Sequence, residues 1–239
     1  MRKIILGLAP ALMLMSGTAY AAPDWKVSEV TGAVRLTENG KSRPATRGAL
    51  LSTGAMITTG AAARAVIVRG EEFVVISPST QIRVPAAAAP SKIFQLIEDF
   101  GTAIFKITKK STPHFGVQTP YLAAVVKGTT FTVTVGEEGS TVQVTEGAVE
   151  VSTLDGGAAD LVTAGTIAQV GASDLYRLTL EGGTNKELRS PNGRGATASG
   201  KAPRALYVGP KGNVVKLSQV KEDEKDLEKL TKGLVHGKS

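Results

Sequence analysis

The chain of 239 residues contains no cysteine. That excludes disulfides, thiolate metal or redox chemistry, and a lipid anchor attached at a cysteine. A fold without such cross-links has to be held by its apolar core. Histidine is nearly absent as well. His114 and His236 are the only two, and neither has Cys, Asp or Glu neighbours at metal-ligand spacing. Both read as ordinary surface or strand-edge residues. A Ser-His-Asp site could draw only on His114, and no G-x-S-x-G elbow accompanies it. Aromatic residues make up 5% of the chain, with one tryptophan, Trp25. There is no aromatic-rich basic face of the kind that binds nucleic acid. After Met15 no stretch approaches the ~20 apolar residues of a transmembrane helix.

What is present begins with an export signal. Arg2 and Lys3 precede an apolar run from Ile4 to Met15, and Ala19-Tyr20-Ala21 has the small-x-small form of a cleavage site. The pattern predicts residues 1–21 as a cleaved signal peptide and a periplasmic mature chain from Ala22. The charge divides unevenly. Of the formal +7, two belong to Arg2 and Lys3, and the segment from Gly182 onward, with 12 basic and 6 acidic residues, carries +6. The body between them is left near −1. The basic character therefore belongs to the tail, which could touch anionic surfaces, and does not describe a nucleic-acid-binding domain.

Ala22 to Glu181 reads as a succession of short strands. Phe131, Val133 and Val135 alternate with threonines, as do Val142 and Val144 with Thr141 and Gln143, and Val149 and Val151 with Glu150. Period two with β-branched residues places one set inside and the other outside. Further strand-like pieces include Trp25–Val30, Arg64–Arg69, Phe73–Ser77, Lys92–Ile97, Ala103–Ile107 and Phe115–Gln118. Glycines recur on either side of the glycine-free stretch 71–100, mostly every six to twelve residues, at spacings that suit strand-turn-strand units. VTGAVRL (Val30–Leu36) echoes VTEGAVEV (Val144–Val151), which is either an internal repeat or two similar hairpin edges. The expectation is an all-β body, a sandwich or a short solenoid.

Beyond it, 182–203 is rich in Gly, Ser, Asn and Pro and reads as a flexible linker. Residues 204–239 are basic, with a hairpin around Gly209-Pro210-Lys211-Gly212 and then a charged helix. Leu227, Leu230 and Leu234 form a narrow stripe on that helix, a candidate docking surface for a partner.

Several blocks, in order, resemble the periplasmic FecR domain found in iron-transport regulators and in other exported proteins. RGALLSTGAMITTGAAARAVIV, which contains Gly60, resembles the family opening. FVVISPSTQIRV and IFQLIEDFGTAIFKI resemble the blocks that follow. HFGVQTPYLAAVVKGTTFTV is the most specific, through Phe115, Thr119, Pro120, Gly128, Thr129, Phe131 and Val133. STVQVTEGAVEV resembles the closing block through Gly147. The resemblance spans Ala22 to Glu181 and implies a β-rich domain used for protein contact or ligand sensing. In the regulators a cytoplasmic sigma-binding segment and a membrane span stand ahead of the domain. Here the export signal stands in that place, so the sigma-regulating role is not expected to carry over.

The motif residues themselves read as structural. Gly128 permits a positive φ or close backbone approach, Thr129 bonds the turn, and Phe131 and Val133 enter the core. The adjacent acids Glu71-Glu72, Glu98-Asp99 and Glu137-Glu138 read as solvated pairs in turns. Trp25 reads as a first-strand residue capping one end of the core. The sequence predicts no catalytic residue, metal or cofactor. It points to a non-catalytic binding module of the cell envelope, with a protein or polysaccharide partner and no nucleic acid. The alternatives are an accessory of a transmembrane signalling system and a glycan hydrolase.

Overall fold

The computed structural model describes residues 25–85, 93–183 and 185–193. The signal segment, its cleavage site, the predicted hairpin and the stripe of Leu227, Leu230 and Leu234 lie outside the described residues. Eighteen strands follow one another: β1 (Trp25–Thr31), β2 (Val34–Glu38), β3 (Lys41–Pro44), β4 (Leu50–Leu51), β5 (Met56–Thr59), β6 (Arg64–Arg69), β7 (Glu72–Ile76), β8 (Gln81–Arg83) and β9 (Phe94–Lys106). Then come β10 (Phe115–Gln118), β11 (Leu122–Val126), β12 (Thr130–Gly136), β13 (Gly139–Glu146), β14 (Ala148–Thr153), β15 (Ala159–Thr163), β16 (Ile167–Gly171), β17 (Arg177–Glu181) and β18 (Lys186–Arg189).

They form two layers. The first sheet runs β4-β1-β6-β7-β9-β12-β13-β16-β17-β18, and the second runs β3-β2-β5-β8-β9-β10-β11-β14-β15. All pairings are antiparallel except β9 with β10. The architecture is a sandwich, not a solenoid. β9 belongs to both layers. Its first half pairs with β8 and β10, its second half with β7 and β12. The change of sheet falls at Gly101, whose φ of 102° and close approach to Thr80 leave no room for a side chain. The two pieces read in the sequence as Lys92–Ile97 and Ala103–Ile107 are therefore one strand.

Between the layers lies one core of alternating inward residues. Its largest members are Trp25, Phe105, Phe115 and Phe131 with Leu36, Ile57, Ile67 and Leu96. Trp25 is buried against Phe94 and Phe115, where the sequence placed it. The two echoed segments are equivalent corners. Each carries the chain from the first sheet to the second through a left-handed glycine, Gly32 (φ 73°) or Gly147 (φ 85°).

The boundary at Glu181 needs correction. β18 lies inside the segment read as linker and pairs with β17, while its Leu188 packs on the core. Ser190, fully buried, donates to Asp155 in the β14–β15 turn, and Asn192 Nδ2 donates to the same carboxylate at 3.0 Å. Burial alone would raise the Asp155 carboxyl, but these bonds, with those from Thr153 and Gly157, hold it below its ordinary value. Low apolar content hid this strand, because it is held by backbone pairing and one carboxylate.

Candidate functional site

The residues of the G-T-x-F-x-V block converge on one corner of the sandwich. At Gly128 the chain passes from β11 to β12 with φ 148°, and a Cβ there would lie 2.2 Å from the Cα of Lys109. The β9–β10 connection thus crosses directly over this glycine. Thr129 and Ile107 exchange both backbone hydrogen bonds, at 3.0 and 3.1 Å. The Thr129 hydroxyl donates to the carbonyl of Ala148 at 2.8 Å, tying the corner to the one at Gly147. Gly60 makes the matching corner in the first half, donating its N–H to Ala33. Phe131 and Val133 run inward from the corner, with Phe131 stacked on Phe105 at 5.0 Å. Thr119 Oγ1 accepts from Leu122 N and from Ser140 Oγ, both at 2.9 Å, and so links the second sheet to β13 of the first; Pro120 stands exposed in the β10–β11 turn. A groove of about 490 Å³ opens over the corner. Its walls include Glu71, Lys106, Lys109, Gly128, Thr129 and Glu146.

A buried charged group lies at the same end of the core. Arg69 donates to Glu72 Oε2 through Nε at 3.0 Å and through a terminal nitrogen at 2.7 Å, and His114 Nε2 lies 2.9 Å from Glu72 Oε1. The Arg69 guanidinium lies over Phe94 at 4.3 Å and Trp25 at 5.0 Å, in the geometry of a cation–π contact. Burial would raise the Glu72 carboxyl, but hydrogen bonds and charge from Arg69 and His114 outweigh it and hold it below the ordinary value. This corrects two readings. His114 is buried, not a surface histidine, and its acid partner comes from a strand 42 residues away. Glu71 and Glu72 are not a solvated pair, since only Glu71 faces out.

Glu98-Asp99 is corrected for the same reason. Both lie within β9 and point to opposite faces. Asp99 faces out and accepts from Arg83 Nε at 2.7 Å. Glu98 is fully buried, neither of its oxygens has a partner among the described residues, and burial pushes its carboxyl well above the usual range. Glu137 and Glu138 are exposed in the β12–β13 turn, as read.

The outer face of the first sheet carries the largest feature that sequence reasoning missed. Cross-strand register aligns Leu50, Lys26, Val68, Phe73, Lys106 and Thr130 in one row. Glu29, Val66, Val75, Ile104 and Thr132 form the next. Leu50 is 51% exposed and Ile104 39%. The signal was legible. AVIV (Ala65–Val68) and FVVI (Phe73–Ile76) are continuous apolar runs where a half-buried strand would alternate, which marks strands apolar on both faces.

Residues 55–150 match the model of a family described as FecR protein. Residues 55–150 carry the FecR domain. Its matched span, shorter than the resemblance from Ala22 to Glu181, runs from the entry to β5 into β14. It contains the groove, the Arg69–Glu72–His114 group and the apolar center of the outer face. Lys26, Glu29 and Leu50 come from outside it. Two crystal structures are similar to the chain, each of a candidate anti-sigma factor from Parabacteroides distasonis. The identity is 19% and the TM-score 0.44, with 56% of this chain and 59% of theirs covered. The chain thus spans under two thirds of the length of those proteins. No curated protein matches it.

Proposed function

We propose that this FecR-domain protein is a non-catalytic binding module of the bacterial cell envelope, exported to the periplasm, whose contact surface is the outer face of the first sheet. One observation carries the reading. Val66, Val68, Phe73, Val75 and Ile104 form a contiguous apolar patch on three neighbouring strands, pointing away from the core. Such patches, rimmed by polar residues, mark interaction sites. The FecR match favours a second, finer role as an accessory of a transmembrane signalling system, acting through a membrane partner.

The test is crosslinking capture from intact cells with an affinity tag, comparing wild type with Phe73→Ser/Ile104→Ser. The expected result is loss of the captured partners at unchanged melting temperature. Equal capture by both would overturn the reading. A captured membrane-spanning protein would select the signalling role.

A further inference from the structure

The charges around the apolar patch are arranged in a way that the patch itself does not require. Four exposed charged residues border it: Lys26 and Glu29 on β1, Arg64 at the start of β6, and Glu71 in the β6–β7 turn. Among the described residues, none of these four side chains makes a hydrogen bond or ion pair. Lys26 stands in the first row beside Val68. A register shift at Ser28 then puts Glu29, not Ser28, beside Val66 in the second row. The bulge thus brings opposite charges onto one face, one row apart. Arg64 lies one step beyond the second row, and Glu71 lies just beyond the first, in the turn that leads into the neighbouring strand. The remaining charge, Lys106, lays its ammonium toward the Phe73 ring at 5.8 Å, which leaves its stem as apolar cover.

This pattern is its own complement. A two-fold axis in the plane of the face, perpendicular to the strands, exchanges the two rows and keeps the strand columns. Lys26 then meets Glu29 of the second copy, and Glu29 meets its Lys26. Arg64 comes near Glu71, one strand over. Val68 meets Val66, Phe73 meets Val75, and Ile104 meets the stem of Lys106. Two twisted sheets pack face to face in this aligned manner, and an interface that presents the same patch from both subunits is the commonest form of symmetric assembly.

We infer that the outer face of the first sheet docks a second copy of this chain, with reciprocal Lys26–Glu29 pairs flanking a Val66, Val68, Phe73, Val75 and Ile104 center. The inference rests on reading this face as a binding face and names its occupant. Five strands by two rows is less than the ~800 Å² per partner of a standard interface, so the dimer is a weak one, forming in the micromolar to submillimolar range.

Sedimentation equilibrium of the protein purified from the envelope fraction, from 10 μM upward, tests it. Wild type is expected to dimerise. Lys26→Glu and Glu29→Lys should each weaken the dimer at least tenfold, and the double reversal should restore it. An equimolar mixture of the two single reversals should also dimerise, because each then meets its complement. Both positions are exposed, and circular dichroism of each variant checks that the fold is kept. A wild type that stays monomeric at about 1 mM would overturn the inference. So would reversals whose effects add instead of compensating. If the protein is monomeric while Phe73→Ser/Ile104→Ser still abolishes capture in cells, the dimer fails and the binding face stands. If it dimerises through the charge pairs while capture is unaffected, the face serves self-association alone.

Discussion

Two buried glutamates in adjoining parts of the core give opposite responses to pH. Glu72 is held as an anion by Arg69 and His114 and titrates below its ordinary value. Its contribution is therefore present above the ordinary carboxylate range and is lost as pH falls through its depressed folded value. Glu98 titrates well above the ordinary range because burial disfavours its charge. The folded state holds that proton more tightly than the unfolded chain, so its contribution is full below the ordinary carboxylate range and is lost as pH rises through the raised value. Thermal melts across pH should separate the two. Glu98→Leu removes two unpartnered buried oxygens and is expected to stabilise by about 1–3 kcal/mol near neutrality, with a flatter alkaline limb. Glu72→Gln strips the charge from a buried ion pair and is expected to cost about 3–5 kcal/mol while flattening the acid limb. An Glu98→Leu protein that melts below wild type at pH 8 would contradict this account. Neither environment was legible in the sequence. Glu71-Glu72 and Glu98-Asp99 look alike as pairs of adjacent acids, and only their position within strands sends one member of each inward. One partner of Glu72, Arg69, is three residues away across the β6–β7 hairpin, but the other is a histidine 42 residues distant, and no local spacing announces it.

Most of the elements were legible because period-two alternation is strong in β10, β12, β13 and β14, and because β6 and β7 are continuous apolar runs. The misses have physical causes. β3 and β18 are exposed edge strands made largely of charged residues, so they lack the apolar alternation that reveals a half-buried strand. β4 is two residues long. β9 was divided in two because Gly101 reads as a turn residue, whereas here it lets one strand change sheets without breaking. The G-T-x-F-x-V pattern predicts a glycine with positive φ or close backbone approach at its corner. That need came from the sequence pattern, while the segment pressed against Gly128 came only from the structure. Gly128→Ala would drive a methyl group to within 2.2 Å of the Lys109 Cα at a φ of 148°. A loss of at least ~2–4 kcal/mol follows from strain and displaced backbone. Thr129→Val, which leaves the Ala148 carbonyl without its donor, is expected to cost about 1–2 kcal/mol. Chemical denaturation of both variants checks the order. A Gly128→Ala protein as stable as Thr129→Val would show that the β9–β10 connection yields easily.

The described body extends past Glu181 to Gly193, and this is measurable. A chain ending at Gly193 is expected to melt as the full protein does. One ending at Glu181 loses β18, the packing of Leu188 and the Asp155–Ser190 bond, and should be less stable by roughly 2 kcal/mol or more. Equal melting of the two would return the boundary to Glu181. At this scale the fold class was fully legible in the sequence, but the choice between sandwich and solenoid was not. Alternation tells which residues face inward, whereas which strands become neighbours depends on the corners. The apolar runs mark β6 and β7 as apolar on both faces, but the composition of the outer face of the first sheet was hidden for a similar reason. Its residues are spread over β1, β4, β6, β7 and β9, and only register gathers them. Register also fixes where the chain enters and leaves. β1 stands near one extreme of the first sheet and β18 at the other, with seven strands between them. At ~4.8 Å per strand step, the two ends of the body lie roughly 40 Å apart across the sheet. The domain is thus also a spacer, holding anything bound at its first strand well clear of whatever follows Gly193.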